Sequence, residues 1–205
     1  MAAPNPAVDA FPDDPLVQSV TAYVKEYMQN YDASHAWDHI ERVVALAHHI
    51  YAQSDPAFQS TLDLRTIHLA ALLHDVGDHK YLPPGASSQT QIQTLLLSLS
   101  LSNLNSTSNS TSDSTSNSNP TSTSDSLSTS NTKPDPNSDP NSCTPTLAQK
   151  IQTICSAVSY SSEIKNPSRV TSLIASHPEL AVVQDADRLD AMGAVGIGRM
   201  FTFGG

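Results

Sequence analysis

The stretch LAALLHDVGD, residues 69–78, decides how this chain is read. Ala70, Ala71, Leu72 and Leu73 are apolar and lead directly into His74 and Asp75. A carboxylate at the end of a buried helix is costly unless it is paired or meets a cation. Histidine next to aspartate offers one nitrogen and one oxygen donor at the same place. The pair therefore predicts a buried helix that ends at a metal-competent site, and directs attention to further ligands elsewhere in the chain.

Working outward, apolar spacing predicts helices on both sides. A helix is expected from Pro15, with proline in its first turn and a stripe of Leu16, Val20, Val24 and Met28. After the loop NYDASHAW, Asp38 is expected as an N-cap with Glu41 as its capping-box partner. The helix from His39 would bury Ile40, Val43, Val44, Ala47 and Ile50. A third helix is expected from about Leu62 to His74, ended by Val76-Gly77. Helical spacing resumes at Leu147, with Ile151, Ile154, Cys155 and Val158, and Cys155 reads as a core residue. A polar connector, SYSSEIKNPSR, precedes a short helix near 170–175, and a last element runs from Glu179 through LAVVQDADRLDAMGAVGIGRMF. No stretch shows sustained period-two alternation, so the fold class is all-α.

Residues 1–14, rich in Pro, Ala and Asp, read as a disordered lead-in, and 15–205 as one domain. From about 98 to 142 the composition collapses to Ser, Asn, Thr, Asp and Pro, as in TSNSTSDSTSNSNPTSTSD. Such a segment cannot bury enough apolar area to offset its ordering entropy. It is expected to be a disordered insertion that interrupts the domain in a surface loop.

Lys and Arg total 10 against 20 Asp and Glu, a formal net charge of −10. That balance argues against a general nucleic-acid-binding surface. It leaves room for a small anionic substrate, because a bound divalent cation can invert the local field. Cys143 and Cys155 have no disulfide framework or CxxC spacing. There is no run of about 18 apolar residues, so no membrane span is expected. The N-terminus lacks the basic and apolar regions of a signal peptide. A cytoplasmic location, with the nucleus also open, is the expectation.

A hydrolytic metal site needs several N and O ligands plus an open position for water and substrate. His74 and Asp75 supply one of each, and His39 sits in the first turn of its own helix. Asp185, Asp187 and Asp190 follow far downstream; on a helix Asp187 and Asp190 share a face and Asp185 points elsewhere. A set of imidazoles and carboxylates suits Mn, Mg, Co, Ni or Fe as a divalent ion better than a thiolate-seeking metal. Arg42 and Arg188 are candidates for contact with a phosphate, though either could pair with a neighbouring aspartate. His48, His49, His68 and His177 have no supporting context. Gly193, Gly196 and Gly198 suit close helix packing or a break; GAVGIG is not a dinucleotide fingerprint, because no strand precedes it.

Four segments together resemble the HD superfamily of metal-dependent phosphohydrolases, in its small stand-alone form from bacteria and fungi. They are SHAWDHIERVVALA (34–47), LAALLHDVGDHKY (69–81), AVSYSSEIKNPS (157–168) and VVQDADRLDAMGAVGIGRMFTFGG (182–205). The resemblance implies an all-α bundle with the site between helices. It implies metal ligands at His39, His74, Asp75 and Asp187, the last because it holds the ADRL position; Asp185 and Asp190 are not excluded by the motif. It further implies hydrolysis of a phosphate ester or anhydride, in relatives of this type a nucleotide, by a pyrophosphohydrolase or phosphatase reaction. Asp75 would also orient the attacking water, and Lys80, Arg42 or Arg188 would neutralise developing charge. His35 and Asp78 are the expected supporting or proton-transfer groups, and Glu163 is expected to line the site. The resemblance leaves room for a homodimer. The low-complexity insertion lies outside the family pattern, and relatives continue past FGG, so the chain is expected to be a C-terminally shortened form. Two other readings remain: an inactive nucleotide-binding protein of the same fold, and a di-iron oxygenase, for which Asp78 and His79 are the nearest additional ligands.

Overall fold

The computed structural model describes residues 6–29, 36–77, 90–108 and 143–203, with backbone alone for 104–108 and 203. The described residues form helices and turns with no strand. In chain order the helices are α1 (Pro15–Met28), α2 (Trp37–Gln53), α3 (Pro56–Gln59), α4 (Leu64–Leu73) and α5 (Gln91–Ser108). They continue with α6 (Pro145–Val158), α7 (Tyr160–Lys165), α8 (Pro167–Ser176), α9 (Glu179–Asp190) and α10 (Gly193–Phe203). An all-α bundle is therefore the architecture, as the apolar spacing indicates.

The centre of the bundle is α4. Its residues Thr66 to Leu73 are all buried, because α1, α2, α6 and α9 pack around it. Asp63 caps it by accepting from the Arg65 and Thr66 amides. At the other end Gly77 adopts φ 78°, a conformation that favours glycine, and turns the chain away directly after the His74-Asp75 pair. Helix α2 lies against both α4 and α9 and buries His39, Ile40, Val43, Val44 and Ala47. These two contacts place the first turn of α2, the end of α4 and the last turns of α9 around one point.

Several polar side chains fix the other helices to this frame. Asp14 caps α1 through the Leu16 and Val17 amides and also accepts Arg65 Nε from α4 at 2.6 Å. Gln152 on α6 accepts the Ile92 and Gln93 amides and so caps the start of α5. Glu179 at the start of α9 takes Lys150 Nζ at 2.8 Å and the Asp63 amide at 3.2 Å.

The structure corrects several boundaries. Helix α2 begins at Trp37 with Ala36 as its N-cap, which has no side-chain capping bond. Asp38 is an exposed first-turn residue, where its charge favours the helix N-terminus without capping it. Residues 6–14 form turns that bury Val8 and set Phe11 edge-on against His68, so this part of the expected lead-in joins the core. The low-complexity composition sets in at about 98, yet α5 runs on to Ser108. Ser98 and Ser102 return their hydroxyls to the Leu95 and Ser98 carbonyls, and Leu95, Leu97 and Leu99 pack on the core. The remainder of that expected insertion, 109–142, lies outside the described residues. The connector after α6 is largely helical, as α7 and the start of α8. The last element is two helices, broken where Gly193 takes φ 62°. Cys155 is a buried core residue whose thiol burial pushes well above its ordinary range.

Candidate metal centre

Three helices bring four donor side chains together. His39 stands on the first turns of α2, His74 and Asp75 follow the last turn of α4, and Asp187 stands on α9. His39 Nε2 lies 3.2 Å from His74 Nε2, 3.4 Å from Asp75 Oδ2 and 3.5 Å from Asp187 Oδ1. His74 Nε2 lies 3.5 Å from Asp75 Oδ1 and 3.8 Å from Asp187 Oδ1. The imidazoles are buried, while Asp75 and Asp187 retain 19% and 30% side-chain exposure, so the cluster opens to solvent on its carboxylate side.

The hydrogen bonds on the far side of each ring decide what this cluster wants. His74 Nδ1 is 2.8 Å from the Ala71 carbonyl oxygen, which can only accept. His39 Nδ1 is 2.7 Å from Asp190 Oδ2. Asp190 also accepts from Arg42 and Arg199, so it is ionised and can only accept. Both Nδ1 atoms therefore carry the hydrogen, and each ring, when neutral, turns the lone pair of its Nε2 inward. Two such lone pairs at 3.2 Å, with two carboxylates beside them, repel one another unless a proton or a metal cation lies between. Ligands about 2.1 Å from a divalent ion stand roughly 3–3.5 Å apart in tetrahedral or octahedral arrangements. Four of the five separations fit that spacing, the His74–Asp187 distance of 3.8 Å being longer, and His39, His74 and Asp187 could hold a metal ion within ligand atoms all 4.8 Å or less apart.

Burial opposes a charge on His39, but hydrogen bonds to Asp190 and Asp75 outweigh it and raise its pKa above the ordinary histidine range. Burial likewise opposes ionisation of Asp190, and the bonds from His39 and Arg42 more than reverse this, holding it far below the usual carboxylate range.

The expected site residues divide as follows. His39, His74, Asp75 and Asp187 converge. Arg42 lies one turn beyond His39 and is bound bidentately by Asp190, through Nε at 2.6 Å and Nη2 at 3.1 Å. Arg188 and Glu163 are paired with each other, and Arg188 also lies 3.8 Å from the exposed Asp185. His35, Asp78 and Lys80, and with them His79, lie outside the described residues. Arg199 was not among the sequence candidates, yet it contacts Asp190 Oδ2 at 2.9 Å from α10. His48 and His68 form a second pair, with His48 Nε2 2.9 Å from His68 Nδ1 and Phe11 packed edge-on against both. His68 Nε2 is buried with no hydrogen-bond partner, and burial together with His48 lowers its pKa to about 3.

The helical bundle brings His39, His74 and Asp187 together as a group that could hold a metal ion. No protein-family model and no curated protein matches the chain. Its fold is similar to the crystal structure of Bacillus subtilis YpgQ in complex with ADP, with a TM-score of 0.51 and 23% identity, over 92% of this chain and 64% of that one. Selenomethionine-labelled YpgQ gives 0.48 and 24% over 91% of this chain and 67% of that one. The Lin1889 protein of Listeria innocua gives 0.41 and 25% over 91% and 64%. The aligned region is thus 64% of the length of YpgQ in its ADP complex.

Proposed function

We propose that this chain is a metal-dependent phosphohydrolase of the HD type, acting on a phosphate ester or anhydride of a nucleotide. The observation that carries the proposal is the convergence of His39 Nε2 and His74 Nε2, 3.2 Å apart, with the carboxylates of Asp75 and Asp187. These four residues would hold the ion. The ADP bound to YpgQ, a protein of similar fold, supports a nucleotide as substrate. When bound, a divalent ion supplies Lewis acidity and lowers the pKa of a coordinated water toward neutrality.

The chain's own residues do the rest. His74 is oriented by the Ala71 carbonyl, and His39 by Asp190, so neither ring needs to rotate on loading. Asp75, partly exposed, is the group to orient the attacking water and receive its proton. Arg42 presents a half-exposed guanidinium one turn from His39, where it would offset charge on the phosphate. Arg188 would serve the same end by exchanging Glu163 for the substrate. His35, Asp78 and Lys80 stand in this proposal on the sequence pattern alone.

The test is a panel of nucleotides and phosphate esters incubated with Mn²⁺, Mg²⁺, Co²⁺ or Ni²⁺, on protein of measured metal content. Release of phosphate or pyrophosphate that requires the metal supports the proposal. Nucleotide binding without turnover under every metal would replace it with a binding protein of the same fold.

A further inference from the structure

The carboxylate of Asp190, at the end of α9, is almost fully buried and contacts three cationic or hydrogen-donating groups from two other helices, His39 and Arg42 on α2 and Arg199 on α10. Its Oδ2 accepts His39 Nδ1 at 2.7 Å, Arg199 Nη1 at 2.9 Å and Arg42 Nη2 at 3.1 Å, and its Oδ1 accepts Arg42 Nε at 2.6 Å. A carboxylate that only needed charge partners would be satisfied by the two arginines. The additional short contact to His39 has a different consequence. It fixes the ring that must aim Nε2 at Asp75 and Asp187, and it raises the basicity of that nitrogen toward a metal.

We propose that Asp190 is the positioning residue of the metal ligand His39, and that Arg199 makes α10 part of the metal centre by holding Asp190 in place. This rests on the metal-site reading above and extends it to residues beyond the four ligands. The backbone around Arg199 is arranged for the task. Helix α9 ends at Asp190, and the positive φ of Gly193 starts α10 in a new direction. A side chain at Gly196 would place its Cβ 2.0 Å from the Ala191 carbonyl oxygen, so glycine there permits the close return of α10. That return brings Arg199 back onto a residue nine positions earlier. The rest of α10 has little to anchor it: Ile197, Met200 and Phe201 are 59%, 69% and 75% exposed. The arginine therefore joins a weakly packed helix to a buried carboxylate that touches a metal ligand.

The experiment is a Co²⁺ titration followed by visible absorbance, on the full chain and on Asp190→Asn and Arg199→Met. Absorbance reports both affinity and the geometry around the ion. Asp190→Asn is expected to weaken Co²⁺ binding about 10–100-fold and to alter the visible bands, with helical circular dichroism retained. Arg199→Met is expected to shift affinity in the same direction by a smaller factor. Unchanged affinity and spectrum in a folded Asp190→Asn would overturn the positioning role. If that variant does not fold, Arg199→Met decides: wild-type affinity and spectrum there overturn the proposal. No uptake of Co²⁺ by the wild-type chain would instead contradict the metal-site reading itself.

Discussion

His39 and His74 face each other with their Nε2 atoms 3.2 Å apart, although neither Nδ1 is available to reverse the tautomer. The Asp190 carboxylate occupies one Nδ1 and the Ala71 carbonyl the other. In a metal-free chain, a proton on one Nε2 relieves the repulsion. A divalent cation does so more completely, because it also answers Asp75 and Asp187. Metal and proton therefore compete for the same point.

That competition gives a pH dependence. His39 must be neutral to bind a metal, and its pKa is raised in the folded chain. Metal binding is accordingly at full strength above this raised pKa. It is lost as pH falls through a range above the ordinary histidine value of about 6.5. Calorimetry in two buffers of different ionisation enthalpy should show proton release on metal binding near neutral pH. Binding that is independent of pH between about 5 and 8 would contradict the account.

The ligands should not contribute equally to turnover and fold. Asp187 is 30% exposed, so Asp187→Ala should leave thermal stability nearly unchanged while removing hydrolysis. His39 is buried and bonded to Asp190, so His39→Ala should lower both. Paired melting curves and phosphate-release assays distinguish the two outcomes. Equal loss of stability in both variants would argue that Asp187 is structural.

The second histidine pair predicts acid sensitivity of a different kind. His68 has a folded pKa of about 3, below its unfolded value near 6.5. The unfolded chain therefore binds more protons between these values, and stability falls as pH drops from about 6.5 toward 3. Replacing His68 with Phe removes this proton uptake. Its unfolding free energy should change less steeply with pH in that window, measured by urea titration at several pH values. An unchanged slope would place the acid sensitivity elsewhere.

Asp14 serves two partners, and two substitutions separate them. Asp14→Asn keeps the N-cap of α1 but removes the charge facing Arg65. Asp14→Ala removes both. A lost cap costs about 1 kcal/mol, and leaving the largely buried Arg65 without its carboxylate adds to this, for roughly 2–4 kcal/mol in Asp14→Ala. Chemical denaturation should rank the variants in the order wild type, Asn, Ala.

Much of this arrangement was legible in the sequence, and the exceptions have physical causes. The stripes on α1, α2 and α6 announced their buried faces because each packs one side only. Helix α4 is buried on all sides, yet the His74-Asp75 pair after it still marked where its core role ends. Helix α5 was hidden because serines interrupt its apolar pattern and the low-complexity composition overlaps it from about 98. Its helical state comes from packing on α1 and α6 and from hydroxyls that bond back to the helix. The candidate ligands could be named from their types and family-like spacing. The roles of Asp190 and Arg199 could not, because a carboxylate that orients a histidine looks the same in sequence as one that merely pairs with arginine. The pairing of His48 with His68 depends on how α2 crosses α4, and neither segment records that crossing by itself.

The most direct test of the central claim is the metal stoichiometry of the purified full chain and of His74→Ala, measured by elemental analysis after equilibration with Mn²⁺ and desalting. The account predicts close to one ion per wild-type chain and a marked loss in His74→Ala, whose fold is checked by circular dichroism. Retention of the ion by a folded His74→Ala, or a wild-type chain that takes up none, would contradict it.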